Sequence, residues 1–280
     1  MKKKSYFNTS KFALVQGRLV DNEKKNEIQF FPHKNWKKEL KIFASQKLKF
    51  IEWVASLDNL KKNPIFHKRN LKNIILECRK NKVNIRSIDA QFFVKKPFYK
   101  GSKYEMNERF KTLKKILLHS QTLKIKFFII PALENAKIRT NKQKHIFING
   151  LKKLSNLVNK NSFILIESDL TPKKLNNFIN EINKENVGIN YDTGNSAGNG
   201  FNFEEEKKYF SKVKNIHLKD KKFNGKSIRL GKGDFRFKKF FNYLKRSNYK
   251  GFFAFQCARS IKNNHLEEFL INLNYIKKFI

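Results

Sequence analysis

Hydrophobic and polar positions alternate along this chain in two characteristic lengths. Short runs of β-branched and aromatic residues are separated by longer segments in which apolar positions recur at helical spacing. The alternation continues from one end of the chain to the other and is typical of repeated strand–helix units. The pattern therefore predicts an α/β protein with a parallel sheet.

The pattern predicts eight strands and eight helices, as in a complete (β/α)8 TIM barrel. The strands are predicted at 12–16, 50–54, 84–89, 126–130, 163–167, 187–191, 213–218 and 252–256, and the helices at 36–47, 68–81, 105–122, 142–160, 172–184, 203–210, 236–246 and 264–279. A length of 280 residues suits such a barrel, and no linker or change of composition divides the chain. We therefore expect residues 1–280 to form a single domain.

Four predicted strands end on residue types that bind divalent metals, namely Glu167, Asp192, His217 and Gln256. The first three are each 25 positions apart, about the length of one compact strand–helix unit. Parallel barrel strands deliver their last side chains to one end, where such barrels carry their chemistry. Two carboxylates and an imidazole meeting there would suit Mn²⁺, Mg²⁺ or Zn²⁺.

Each of these residues also has a structural explanation. Glu167 could form a buried ion pair, and Asp192 could cap the following loop through an Asx-turn. His217 could be a core histidine with satisfied hydrogen bonds, and Gln256 a hydrogen-bonding spacer. The sequence leaves these alternatives open.

Three further charged residues lie within or just after predicted strands. Arg18 and Arg259 could bind a substrate phosphate or carboxylate through two parallel hydrogen bonds, or form structural salt bridges. Glu52 precedes Trp53 and could support the site from behind or serve the fold alone. A role in substrate binding is the functional alternative for all three.

The net charge of +39 raises nucleic acid as a partner, but its distribution argues otherwise. Lysine supplies most of the positive charge and is scattered over every predicted helix, whereas arginine, the usual choice for phosphate and base contacts, occurs at ten positions. The abundance of Lys, Asn, Ile and Phe matches A/T-rich codons. We predict no specific nucleic-acid site.

The sequence also carries an expectation about location. No apolar stretch approaches the roughly 20 residues needed to cross a bilayer, and the charged start of the chain lacks the apolar run of a secretory signal. Cys78 and Cys257 show no disulfide or zinc spacing. We expect a soluble cytoplasmic protein with no membrane partner.

Six short segments together resemble the xylose-isomerase-like barrel superfamily of sugar and sugar-phosphate isomerases and epimerases. They are Val15-Gln-Gly-Arg-Leu19, Phe50-Ile-Glu-Trp53, Ile166-Glu-Ser-Asp169, Asn190-Tyr-Asp-Thr-Gly-Asn195, Ile216-His-Leu-Lys-Asp220 and Phe255-Gln-Cys-Ala-Arg259. The resemblance implies a divalent metal bound by Glu167, Asp192, His217 and Gln256. It also implies a small sugar or sugar-phosphate substrate, for which the candidate binding residues are Gln16, Arg18, Glu52, Asn195 and Arg259. The oligomeric state, including a homo-oligomer, stays open.

Two positions depart from the family pattern. Asn195 stands where many relatives have histidine, and Gln256 stands where the two-base epimerases have glutamate. Neither amide can transfer a proton near neutral pH. The departures favour an aldose–ketose isomerase, in which Glu167 alone removes and returns a proton through a metal-stabilised enediolate, over a 3-epimerase.

Other functions stay as alternatives. Lys219 is the candidate second catalytic group, and a proton relay through Lys219 or Glu52 would keep epimerisation possible. A syn-dehydratase and a noncatalytic sugar-binding barrel also fit the substitutions. An endonuclease IV-like DNA-repair enzyme is disfavoured because it needs a histidine-rich three-metal cluster, and only His217 ends a predicted strand.

Overall fold

The computed structural model of the protein describes residues 9–21, 29–46, 48–57 and 60–280. Within these residues eight parallel strands close into a barrel, in which each strand pairs with its neighbours in the chain and the last pairs with the first. The strands are β1 (Phe12–Val15), β2 (Phe50–Val54), β3 (Asn84–Asp89), β4 (Phe127–Ala132), β5 (Phe163–Ser168), β6 (Val187–Asp192), β7 (Val213–Leu218) and β8 (Phe252–Phe255). The predicted (β/α)8 barrel is confirmed.

Strands β1, β4 and β8 are apolar on both faces because each face meets a different core. Inward-facing side chains such as Ala13, Val54 and Ala254 fill the barrel interior. Outward-facing ones such as Leu14 and Ile216 join the larger core beneath the surrounding helices. Burial on both faces explains why these three strands are continuous apolar runs without polar alternation.

Ten α-helices are assigned in the described part of the chain. They are α1 (Trp36–Ser45), α2 (Leu71–Lys80), α3 (Phe92–Lys95), α4 (Lys103–Thr122), α5 (Asn141–Ser155), α6 (Pro172–Ile182), α7 (Thr193–Gly198), α8 (Phe203–Glu206), α9 (Phe237–Arg246) and α10 (His265–Lys277). The longer ones lie close to their predicted positions. Proline at the first position of α6 explains its sharp start, because the missing N–H would be unpaired there anyway.

The structure differs from the sequence prediction in three short elements. Residues 91–104 and 193–198, for which no helix was predicted, contain α3 and α7. The helix predicted at 203–210 is α8 followed by a 3₁₀-helix, Lys207–Lys212. Helices of four to six residues are too short to show a helical repeat in the sequence.

Buried carboxylates hold the loops that follow β1 and β7. Glu39 accepts the backbone N–H groups of Gly17 and Leu19 at 2.8–3.0 Å. Asp220 accepts those of Gly231 and Gly233 at 2.8 and 3.0 Å. The loops at the carboxyl end of the barrel are therefore fixed by side chains from within the fold.

No helix among the described residues has both the length and the apolar character required to cross a lipid bilayer.

Candidate metal centre

Strands β5, β6 and β7 bring Glu167, Asp192 and His217 together at the carboxyl end of the barrel. All three side chains are buried, and one ligand atom from each lies within 4.8 Å of the others. The convergence follows from the parallel register, in which Asp192 pairs with His217 across β6 and β7. The spacing of 25 residues thus brings two carboxylates and an imidazole into one site.

Glu167 is held from two sides by amide groups. Its Oε2 accepts a hydrogen bond from Asn190 Nδ2 at 2.7 Å, and its Oε1 accepts one from Asn195 Nδ2 at 3.1 Å. Asn215 Nδ2 donates in turn to Asn190 Oδ1 at 2.8 Å and fixes the orientation of that amide. Because a carboxylate has about four lone-pair sites, acceptor capacity remains for a metal.

His217 lies between two carboxylates. Its Nδ1 is 3.0 Å from Glu167 Oε2 and its Nε2 is 2.9 Å from Glu52 Oε1, but neither ring nitrogen has an aligned hydrogen-bond partner in the described chain. Burial lowers the pKa of His217, yet the charges of Glu52 and Glu167 outweigh burial and hold that pKa well above its ordinary value. Glu52 is itself fixed by the Ser87 hydroxyl, which donates to Oε2 at 2.6 Å.

Glu52 lies beside Nε2 of His217, whereas Glu167 lies beside Nδ1 of the same ring. A carboxylate beside the far nitrogen of a metal-binding histidine orients the ring and raises its basicity. Glu52 is completely buried and contacts His217. The geometry therefore favours support of His217 over contact with a substrate.

Asp192 uses its two oxygens differently. Oδ1 accepts the backbone N–H of Asn195 at 2.8 Å and caps α7, whereas Oδ2 lies 3.3 Å from Lys219 Nζ. Burial raises the pKa of Asp192 despite the opposing charge of Lys219. The capping role considered from the sequence is therefore present, and the second oxygen still faces the site.

Lys219 contacts two of the four candidate ligands, Asp192 and Gln256. Its ammonium group is 3.3 Å from Asp192 Oδ2 and 3.3 Å from Gln256 Oε1. The backbone N–H of Lys219 donates to Thr193 Oγ1 at 2.9 Å, which anchors the end of β7 to α7. The ammonium group therefore lies beside two of the four candidate ligands, where its positive charge opposes a metal ion.

The remaining candidates, Gln16 and Arg18 after β1 and Arg259 after β8, form hydrogen bonds with the protein backbone. Gln16 Oε1 accepts the backbone N–H of Val54 at 3.2 Å, while its buried Nε2 has no hydrogen-bond partner in the described chain. Arg18 donates to the Cys257 carbonyl at 2.9 Å, and Arg259 donates to the carbonyl groups of Gly17 and Val20. Both guanidinium groups bind neighbouring loop backbone.

Asp89, at the end of β3, was missed in the sequence analysis. Its Oδ2 accepts a hydrogen bond from Gln29 Nε2 at 2.8 Å, and its buried Oδ1 has no hydrogen-bond partner in the described chain. Burial, with repulsion from Glu52 and Glu167, raises the pKa of Asp89 to about 8. The signal was weak, because β3 ends on a carboxylate but carries Asn84, Arg86 and Ser87 before it and so is not an apolar run.

The residues fit a divalent metal. Glu167 and Asp192 supply hard oxygen donors, and His217 supplies a ring nitrogen that lacks an aligned hydrogen bond. Such a mixed set suits Zn²⁺ or Mn²⁺, and also Mg²⁺ through the carboxylates. Glu167, Asp192 and His217 would hold the ion, and Gln256 could add a neutral amide oxygen once Lys219 withdraws.

Comparisons with known proteins agree with this fold. The family model described as xylose isomerase-like TIM barrel matches residues 45–277. No curated protein matches the chain by sequence. Among solved structures, the IOLI protein with a bound zinc atom has a TM-score of 0.75 and 16% identity, covering 96% of this chain and 99% of that one.

Two further structures are similar over most of their length. D-psicose 3-epimerase with D-tagatose from Clostridium cellulolyticum H10 has a TM-score of 0.71 and 10% identity, covering 96% of this chain and 99% of that one. A xylose isomerase-like TIM barrel protein from Mycobacterium smegmatis in complex with magnesium has a TM-score of 0.70 and 12% identity, with 95% of each chain covered. At these identities the structural likeness establishes the fold alone.

Proposed function

Because the chain belongs to the xylose isomerase-like TIM barrel family, we propose that it is a metal-dependent isomerase of a sugar or sugar phosphate. The observation that carries the proposal is the buried group of Glu167, Asp192 and His217 at the carboxyl end of the barrel. Structural neighbours that are sugar epimerases add support for the substrate class. We favour aldose–ketose isomerisation over epimerisation for reasons that lie in the site.

Glu167 is the proposed base. Burial raises its pKa, but the neighbouring charges of His217 and Lys219 outweigh burial and keep the pKa below its ordinary value, so the carboxylate is ionised at neutral pH. Asn190 and Asn195 fix its two oxygens. A divalent ion, when bound, would stabilise negative charge on the substrate oxygens. Glu167 would take a proton from the carbon beside the carbonyl and return it to the neighbouring carbon on the same face.

Gln256 supports the one-base scheme. Its side chain directly follows β8. An amide cannot accept or return a proton near neutral pH, so Gln256 cannot serve as a second base. Lys219, 3.3 Å from Gln256 Oε1, is the titratable group beside it. We assign Lys219 the transfer of a proton between the two substrate oxygens, which completes isomerisation without a second carbon base.

Unpaired polar atoms favour a ligand rich in hydroxyl groups. Gln16 Nε2 and Asp89 Oδ1 are buried and lack hydrogen-bond partners in the described residues. Leaving such atoms unpaired costs roughly 1–3 kcal/mol each, so a ligand that pairs with them gains binding energy. We propose Gln16 as a substrate contact and add Asp89, whereas Arg18 and Arg259 already bind backbone carbonyl groups.

A noncatalytic sugar-binding barrel is the second candidate. The observation that favours it is the position of the Lys219 ammonium, which already neutralises Asp192 and contacts Gln256. In that case the Lys219 ammonium would supply part of the positive charge that a metal ion otherwise provides, and a sugar would bind without turnover.

A substrate screen separates the two functions. Aldoses, ketoses and their phosphates are incubated with the protein and Mn²⁺ in D₂O and followed by NMR. Interconversion of an aldose and ketose, abolished in Glu167→Gln and retained in the exposed control Glu185→Gln, supports the isomerase. Sugar binding without turnover supports the binding module, and exchange at C3 of a ketose would contradict the one-base scheme.

A further inference from the structure

The amino-terminal end of the barrel, opposite the candidate metal centre, is closed by aromatic side chains. Phe50, Phe127, Phe163 and Phe252 stand at the first positions of β2, β4, β5 and β8. The ring centroids of Phe127 and Phe252 are 5.5 Å apart, and those of Phe127 and Phe163 are 6.2 Å apart. We call this layer the barrel floor.

Three cationic groups crowd around one ring of the barrel floor. Arg86 Cζ, Lys11 Nζ and Lys126 Nζ lie 4.2, 4.3 and 4.7 Å from the centroid of Phe252. No two of them can therefore be more than about 9.0 Å apart. Arg86 also lies 3.4 Å from the centroid of Phe50. Cation–π contacts stabilise each charge but do not remove the repulsion among them.

Arg86 is buried and has no counterion among the described residues. Only 6% of the residue is exposed; one terminal nitrogen donates to the Ser10 carbonyl at 2.8 Å, and the other, NH1, has no hydrogen-bond partner in the described chain. No carboxylate within the described ranges forms an ion pair with Arg86, Lys11 or Lys126. Burial lowers the pKa of Arg86 to about 10, and burial with repulsion from Lys126 and Arg86 lowers that of Lys11.

Two clefts meet at this cluster. One, of about 590 Å³, is lined by Arg79, Arg86 and Lys124 among others, and the second, of about 560 Å³, by Lys214 and Lys250 among others. Lys126 and Phe252 line both clefts, so the two adjoin at the floor, and we call them together the floor groove. Each cleft is of the size that holds a small-molecule ligand.

We propose that this floor groove binds a small anion carrying two or more phosphate groups. Several lysines, together with an arginine whose NH1 lacks a partner among the described residues, match the multiple charges and acceptor oxygens of such a ligand. An anion would also pair the buried NH1 of Arg86 and relieve the repulsion. Single-stranded nucleic acid fits less well, because stacking needs free aromatic faces, whereas Phe252 is surrounded by cationic groups.

Calorimetry with inorganic tripolyphosphate at roughly physiological salt tests the proposal. We expect one site in the parent and at least a tenfold loss of affinity in Lys11→Gln/Lys126→Gln. The control Lys173→Gln/Lys174→Gln removes two charges from exposed positions on α6 and should bind as the parent does. Arg86→Gln, if folded, should also bind weakly.

Three outcomes would overturn the proposal. They are no binding by the parent, an equal loss in the control variant, and binding of single-stranded DNA that tripolyphosphate does not displace. Thermal unfolding gives an independent measurement, because tripolyphosphate should raise the melting temperature of the parent and the control more than that of Lys11→Gln/Lys126→Gln. An equal rise in all three would show that the groove is not the site.

Discussion

Glu206 couples the stability of the barrel to pH. It is 1% exposed and accepts hydrogen bonds from the hydroxyl groups of Tyr191 and Ser196, both at 2.8 Å, and of Tyr209 at 3.3 Å. Burial raises the pKa of Glu206 to about 7, and the three hydroxyl donors offset burial only in part. Through Tyr191 and Ser196 this carboxyl group joins β6 to α7, the two elements that flank Asp192.

The magnitude follows from the two pKa values. An ordinary glutamate titrates near 4.5, so the folded protein retains a proton on Glu206 between about pH 4.5 and 7 that the unfolded chain has lost. The stabilising contribution of the neutral group is fully present below pH 4.5 and is lost as the pH rises through 7. The loss amounts to about 3 kcal/mol of unfolding free energy.

Urea unfolding of the parent and Glu206→Gln at pH 4 and pH 8 measures this loss. We expect the parent to lose about 3 kcal/mol more than the variant between the two pH values, because the amide does not titrate. Other titrating groups are common to both proteins and cancel. Glu205→Gln, at a partly exposed position on the same helix, should follow the parent. Parallel pH profiles for the parent and Glu206→Gln would refute the reasoning.

Three further substitutions test the site and its loops. Lys219→Met removes a positive charge from the ligand cluster and should tighten Mn²⁺ binding at least tenfold in calorimetry; unchanged affinity would show that the ammonium does not oppose the ion. Gln256→Glu adds a charged ligand and should also tighten Mn²⁺ binding while the reaction type, followed by NMR, stays the same; new epimerase activity would contradict the one-base scheme. Gly233→Ala would place a Cβ 2.1 Å from Asp220 Oδ1 and should lower the unfolding free energy by about 1–3 kcal/mol, whereas Gly198→Ala, which meets a lysine side chain at 3.0 Å, should cost less. Equal losses of unfolding free energy in Gly233→Ala and Gly198→Ala would exclude the clash.

The sequence predicted the elements with long apolar patterns and the residues that end them. Short runs alternating with helical segments predicted all eight strands, and a polar residue at the end of such a run marked Glu167, Asp192 and His217 as neighbours. These inferences succeed because parallel strands share one direction and one end. Short helices such as α3 and α7 show no repeat and were missed.

The pairing of polar atoms within the site was not predictable in the same way. Lys219 contacts both Asp192 and Gln256, and Arg259 binds carbonyl groups of the loop after β1. Such contacts depend on side-chain directions and loop paths from distant parts of the chain. The same residue types at the same strand ends would be compatible with several other partners.

Metal binding by the Glu167, Asp192 and His217 cluster tests the central claim most directly. Equilibrium dialysis against Mn²⁺ and Zn²⁺ with elemental analysis should give one ion per chain for the parent and for Glu206→Gln, a buried-carboxylate control outside the cluster. Asp192→Ala and His217→Ala should weaken binding by about 100-fold, since each removes one of three protein ligands, while circular dichroism confirms that they remain folded. Equal metal occupancy in the parent and both folded variants would contradict the assignment.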